Sequence, residues 1–80
     1  MKIPRDLGGQ ELAKALGKLG YAVTRTTGSH MRLTTQQGGV HHVTVPSHSP
    51  LRVGTAAAIL AEVAQHSGID REALLRLLFG

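Results

Sequence analysis

The 80-residue chain carries five histidines, and histidine is the side chain best suited to proton transfer near neutral pH. His30 lies in a segment whose apolar and polar residues alternate, the pattern of a half-buried β-strand. Because successive side chains of a strand point to opposite faces, Met31 and Leu33 are expected to face the core. His30 and Arg32 then share the opposite, open face with a threonine, and this face is the first candidate for chemistry.

The next alternating segment adds a second histidine to the same face. Val43 and Val45 indicate its buried side, so His42 and Thr44 are expected to point outward. The open face then collects imidazoles, a guanidinium and hydroxyls, without a carboxylate. Such a composition suits a phosphodiester, the linkage of the nucleic acid backbone.

Metal binding and nucleophilic catalysis fit the histidines less well. Adjacent His41 and His42 point to opposite faces of a strand, so they cannot chelate one ion together. The chain has no cysteine, no His-Glu-x-x-His motif and no acidic residue in the predicted strands. Ser29 and His30 project oppositely as strand neighbours, so they do not form a Ser–His pair. We expect no metal and no other cofactor, and we interpret His66 as a helix-terminus residue.

Acid–base chemistry remains, and RNA is a substrate that needs little more. RNA supplies its own nucleophile, the 2′-hydroxyl beside the scissile phosphate. A histidine such as His30 could carry a proton in this reaction, and Arg32 could stabilise charge that develops on the phosphate. From the residue types alone, an exposed strand histidine without catalytic function is the alternative.

The charge balance favours a polyanionic partner. Lysine and arginine outnumber aspartate and glutamate by nine to five, which gives a formal net charge of +4. Solubility alone is the alternative reason for this charge. Lys14 and Lys18, four residues apart on a predicted helix, are expected neighbours on its outer side and candidate RNA contacts.

The remaining pattern predicts an α+β domain that spans residues 1–80. The predicted order is α-β-β-β-α-α, with the helices on one face of a three-stranded antiparallel sheet. The predicted elements are a helix over 9–19, strands at Tyr21–Thr26, Ser29–Thr35 and Val40–Val45, a helix from Gly54 to about His66, and a last helix capped by Asp70. No signal peptide and no span of roughly 20 apolar residues is visible, so we expect a soluble, cytoplasmic protein.

Thr55 has two interpretations at the start of the second long helix. Its hydroxyl could cap the helix, or the free N–H groups of the first turn could bind a phosphate. The small residues that follow it leave this turn sterically open.

Three segments, taken in order, resemble the HicA family of mRNA interferase toxins. The resemblance covers nearly the whole chain and includes a leucine-rich first helix that ends in glycine and an aromatic residue. It implies a double-stranded-RNA-binding-like fold, metal-free cleavage of mRNA, and neutralisation by a cognate HicB antitoxin. The three segments are Gly28-Ser29-His30, Val45-Pro46-Ser47-His48, and Gly54-Thr55 with Ile59-Leu60.

The resemblance also implies roles for individual residues. His30 matches the catalytic histidine, while Gly28 and Ser29 match the motif residues that shape its turn. His48 matches a second, less constant histidine, which would act as a general acid, contact phosphate, or stabilise its loop. An acidic antitoxin is expected to cover the basic face and to occlude His30.

The chain departs from the family pattern at two places. Gly8-Gly9 stand where serine or threonine is common, so the first helix is expected to begin weakly. Ala56 replaces a larger apolar residue, which is expected to soften the packing there.

Two alternatives come from other functional classes. The protein could bind RNA on the same fold without cleaving it. Alternatively, Ala64, Gly68 and Ile69 followed by Leu74 and Leu75 approximate a DNA-binding helix-turn-helix, although Asp70 and Glu72 suit a major groove poorly.

Overall fold

The structure is a computed structural model that describes residues 2–80. Its elements follow the order α-β-β-β-α-α, which confirms the predicted α+β class. A short 3₁₀ turn, Gly17–Leu19, extends the first helix up to a left-handed Gly20. The elements are α1 (Gly9–Leu16), β1 (Ala22–Thr27), β2 (His30–Thr35), β3 (His41–Pro46), α2 (Val53–Ser67) and α3 (Arg71–Phe79).

The three strands form one antiparallel sheet in the order β1-β2-β3. Each strand begins one residue later than the alternation predicted. Ser29 belongs to the turn between β1 and β2, so β2 begins at His30, which pairs with Thr27 on one side. On its other side His30 pairs with Pro46, the last residue of β3. A β-bulge between Val23 and Arg25 interrupts the pairing of β1 with β2.

The helices cover one face of this sheet. Met31 and Leu33 of β2 and Val43 and Val45 of β3 are buried there, as the alternation predicted. These residues pack into one core with apolar side chains from all three helices. From the helices, the most deeply buried contributors are Leu12, Leu16, Leu60, Val63, Leu74 and Leu75.

The start of α1 is held in place rather than left weak. The Gly8 N–H donates to the Glu11 carboxylate at 2.9 Å, and the Gly9 N–H donates to the His48 carbonyl at 2.8 Å. A Cβ at Gly9 would overlap the carbonyl oxygen of Pro46. Glycine is therefore required where α1 approaches the end of β3. Ala56, the other departure from the family pattern, is buried on α2.

Of the two interpretations of Thr55, the one in which its hydroxyl caps α2 is wrong. The capping position is Arg52, which has an extended backbone and no side-chain cap, so Thr55 is the third residue of the helix. The helix can begin earlier because Leu51 is buried and its N–H donates to the Leu7 carbonyl at 2.8 Å. That anchor fixes the chain direction without a capping hydroxyl.

The last helix completes the core. Asp70 caps α3 as predicted, since its carboxylate accepts the Ala73 N–H at 2.7 Å. Lys18 of the 3₁₀ turn donates to the Leu78 carbonyl at 3.0 Å, near the end of α3. By contrast, every residue of the edge strand β1 is exposed. No helix within residues 2–80 has both the length and the apolar character of a membrane span.

Candidate functional site

The uncovered face of the sheet presents the side chains that the alternation predicted. His30, Arg32, His42 and Thr44 are all exposed, while the alternating residues Met31, Leu33, Val43 and Val45 are buried. Residues that pair across antiparallel strands share a face. The register therefore arranges this open face in rows, with His30 in the first row and Arg32 in the second.

A two-residue turn positions His30 at the start of β2. Gly28 has a positive φ of 57°, the backbone conformation that favours glycine at the first position of a type II′ hairpin turn. The Ser29 carbonyl accepts the backbone N–H of Ser47 at 2.6 Å and its hydroxyl at 3.0 Å. Gly28 and Ser29 thus form the turn, and the segment after β3 holds it in place beside His30.

A shallow groove of about 220 Å³ lies at His30. Its lining comes from all three strands and comprises Arg25, Thr27, His30, Arg32 and Thr44. No aspartate or glutamate occurs anywhere between residues 12 and 61. Every charged side chain that lines the groove is therefore cationic.

Arg25 was missed by the sequence analysis. It pairs directly with Arg32 across β1 and β2 and lines the same groove as His30. A hairpin with a two-residue loop pairs residues symmetrically about its turn, so Thr27 opposite His30 places Arg25 opposite Arg32. The alternation had placed the turn at Thr27-Gly28, one residue too early. A turn at Gly28-Ser29 is the signal that pairs the two arginines.

His42 lies on the same face but farther along the sheet. It pairs with Thr34, four residues from His30, a separation of about 13 Å along a strand. Its Nδ1 lies 2.7 Å from the Thr34 hydroxyl, which lies 3.0 Å from the Thr24 hydroxyl. His42 is therefore too distant to share one phosphate with His30. A carboxylate also adjoins it, since Glu62 lines a depression with His42.

The remaining predicted RNA contacts are not brought to this groove. Lys14 and Lys18 line a different cavity, between α1, the N-terminal segment and α3 on the helical side of the sheet. Thr55 is half-buried in the first turn of α2. His48 is exposed in the loop after β3, and its carbonyl tethers α1. None of these four side chains lines the groove at His30.

Two other histidines form a cluster on the covered side of the sheet. The rings of His41 and His66 stack with centroids 4.4 Å apart. The Tyr21 hydroxyl lies 2.8 Å from Nδ1 of His41, and His66 donates from Nε2 to the Gln37 carbonyl at 2.9 Å. Burial, and secondarily the negative charge of Glu62, raises the pKa of Tyr21. The cluster joins the end of α2 to the β2–β3 connection, which makes it structural.

Residues 2–80 contain no group of three or more histidine or carboxylate side chains placed to hold a metal ion. Two features of the tail bear on the helix-turn-helix alternative. Helices α2 and α3 are joined by three residues, 68–70, but Asp70 and Glu72 place carboxylates at the start of α3. A recognition helix contacts DNA bases from its N-terminal residues, where such carboxylates are unfavourable.

A comparison with protein families identifies the chain. The family described as HicA toxin of bacterial toxin-antitoxin matches residues 9–67, which include the turn, the sheet and α2. Helix α3 lies beyond the matched region. No curated protein and no solved structure matches the chain. The chain belongs to the HicA toxin family of bacterial toxin–antitoxin systems.

Proposed function

We propose that the domain formed by residues 1–80 is an mRNA interferase, a metal-independent endoribonuclease that uses histidine acid–base catalysis. One observation carries the proposal most strongly. His30 is exposed at the start of β2, in a groove whose charged lining is entirely cationic. That combination offers a proton acceptor beside a binding surface for a phosphodiester.

In the proposed reaction, His30 accepts the proton of the 2′-hydroxyl. The 2′-oxygen attacks the adjacent phosphorus, the bond from phosphorus to the 5′-oxygen breaks, and the leaving 5′-oxygen takes up a proton. The cationic groove, to which Arg32 contributes, attracts the RNA backbone and holds the phosphodiester at His30. The products carry a 2′,3′-cyclic phosphate and a free 5′-hydroxyl. No step requires a metal-bound water.

The other motif residues support His30 in this proposal. Gly28 and Ser29 set the turn beside which RNA must pass. His48 follows directly on Ser47, which is bonded to Ser29, so its imidazole is the candidate to protonate the leaving oxygen or contact phosphate. We assign Lys14, Lys18 and Thr55 no role at the scissile phosphate; any RNA contact they make lies outside the groove.

As a member of a toxin–antitoxin family, the chain has a cognate antitoxin partner. We propose that this partner is an acidic, HicB-type protein that binds the open face and occludes His30. Since the sheet carries cationic side chains without carboxylates, an acidic surface is complementary to it and competes with RNA. Footprinting of the complex tests the placement, and a complex that leaves His30 accessible to RNA would contradict it.

The central experiment measures cleavage of a defined mRNA in the presence of EDTA. We expect cleavage to persist, with 2′,3′-cyclic phosphate ends, and to stop where the nucleotide before the cut is a deoxynucleotide. His30→Ala should lower the cleavage rate by on the order of 10²–10⁴-fold but retain RNA binding. His42→Ala is the matched control, because it removes an exposed imidazole from the same face, and it should cleave within a few fold of wild type.

The outcomes separate the alternatives. Loss of cleavage on chelation contradicts the metal-free mechanism, and full activity of His30→Ala contradicts the catalytic assignment. RNA binding by the wild type without any cleavage would instead identify a non-catalytic binding module.

A further inference from the structure

The arginine pair in the groove is unusual for an exposed sheet. Side chains that face each other across antiparallel strands have Cβ atoms about 4.5–5.5 Å apart, and like charges at such positions are destabilising. Arg25 and Arg32 occupy these positions. Within residues 2–80 neither guanidinium forms a salt bridge, and no carboxylate lies on any strand. Folding therefore brings two cations together without a counterion.

The position of this pair relative to His30 is fixed by the register. Arg32 follows His30 by two residues on the same face, a step of about 6.6 Å along the strand. This step is close to the spacing of successive phosphates in an extended single strand of RNA. A phosphate at His30 would therefore place its neighbour over the two guanidinium groups.

We propose that Arg25 and Arg32 together form a subsite for the phosphate next to the scissile one. The inference rests on the proposed function and adds a requirement: the substrate is single-stranded RNA that carries a charged phosphate one nucleotide from the cleaved bond. Two guanidinium groups can contact one phosphate from both sides through charge-assisted hydrogen bonds. The strand then lies over β1 and β2, away from Glu62 at the β3 edge.

The surrounding residues explain why the subsite involves β1 rather than β3. The third member of the arginine row is Thr44, which is neutral. His42, in the next row, hydrogen-bonds to Thr34 and adjoins Glu62. The positive charge of the open face is therefore concentrated on β1 and β2, and Arg25 carries one of the two guanidinium groups.

The test uses oligonucleotides built around a bond that the wild type cleaves in a mapped mRNA. Each is DNA except for one ribonucleotide at the scissile position, so only one bond can be cut. In two further oligonucleotides a neutral methylphosphonate replaces the phosphate one step to the 5′ or the 3′ side. We expect one of these replacements to lower the wild-type kcat/KM by on the order of 10- to 100-fold.

Arg25→Gln supplies the second arm of the comparison. On the all-phosphate substrate, the kcat/KM of Arg25→Gln should fall about as much as the sensitive methylphosphonate lowers that of wild type. On that methylphosphonate substrate, Arg25→Gln should be little slower than wild type. This non-additivity indicates that Arg25 acts through that phosphate. Arg25→Lys should recover part of the activity. Arg71→Gln, which removes an exposed arginine from α3, is the matched control and should match wild type on every substrate.

The outcomes distinguish this inference from the function on which it rests. If the wild type cleaves no bond of the mRNA, the proposed nuclease function is wrong. If it cuts but is insensitive to both methylphosphonates, or if the two losses simply multiply, the subsite is wrong and the nuclease remains. Thermal unfolding of Arg25→Gln checks the fold, and its stability should equal or exceed that of wild type because a like-charge pair is relieved.

Discussion

The histidines on the covered side of the sheet and His30 on its open side have opposite surroundings. On the covered side, His41 and His66 are stacked on each other and hydrogen-bonded to Tyr21 and to a carbonyl. On the open side, His30 is exposed and lies beside cationic side chains. The imidazoles of His41 and His66 are engaged in contacts within the protein, whereas the imidazole of His30 is accessible to a ligand.

The number of histidines alone therefore indicates little about function in this chain. The two groups differ in the side of the sheet on which the histidine lies and in the contacts that its ring makes. A histidine whose ring nitrogens already have protein partners contributes to stability. A histidine without them, in a groove suited to phosphate, is the candidate for function. Substitutions on the two faces should therefore affect different measurements.

The largest expected effect is on catalysis from the open face. His30→Ala should lower the cleavage rate by on the order of 10²–10⁴-fold, the usual contribution of positioned acid–base catalysis. Its free energy of unfolding should change by less than about 0.5 kcal/mol, because the side chain is exposed. Single-turnover cleavage and urea unfolding of the same preparation check both halves. If His30→Ala also strongly lowered the free energy of unfolding, the open face would not be separate from the residues that stabilise the fold.

The covered face should show the opposite result. Leu33 is fully buried two residues along β2 from Met31, and Leu33→Ala should destabilise the fold by about 2–5 kcal/mol through lost burial and a cavity. Under conditions where it remains folded, its cleavage rate should stay near that of wild type. Val40→Ala is the control, since Val40 is 66% exposed and its loss should be nearly neutral.

The histidine cluster should affect stability without affecting chemistry. His66→Ala removes the bond to the Gln37 carbonyl and the stack on His41, and we expect a loss of about 1–2 kcal/mol. Urea unfolding measures it. If cleavage falls with His66→Ala while the fold stays intact, the covered side of the sheet contributes to catalysis and the two faces are not functionally separate.

The smallest effect concerns Tyr21 and alkaline pH. Burial, with a smaller contribution from Glu62, raises the pKa of Tyr21, so its ionised form is disfavoured in the folded state. The associated stabilisation is fully present below the ordinary tyrosine pKa of about 10 and is lost as pH rises through the folded-state value. Tyr21→Phe should lower the free energy of unfolding by about 0.5–1.5 kcal/mol at pH 8. It should also make the decrease of that free energy at alkaline pH less steep. Unfolding curves from pH 8 to 11 provide the measurement.

The sequence predicted the parts of the fold that depend on local periodicity. Alternation in β2 and β3 correctly separated His30 and Arg32 from Met31 and Leu33, because side-chain direction repeats every two residues. The Asp70 cap was also found, since an N-cap acts on residues close to it in the chain. These features depend on neighbours only a few residues away.

The features that the sequence did not indicate depend on long-range contacts. One interpretation of Thr55 was a cap, because hydroxyls favour that position, but the anchor between Leu51 and Leu7 moved the start of α2. Helical spacing made Lys14 and Lys18 neighbours without indicating which side of the molecule they occupy. Lys18 is bonded to a carbonyl 60 residues away, a contact that no local pattern could indicate.

Edge strand β1 has a consequence for how the protein would lose activity. It pairs only with β2, none of its six residues is buried, and it supplies Arg25 and Thr27 to the groove. Local opening of β1 needs less free energy than global unfolding, because few apolar contacts are broken. Its amides should therefore exchange with solvent before those of β3. Heating or mild denaturant should therefore abolish cleavage while the core is still folded. Loss of activity and global unfolding should occur as separate transitions.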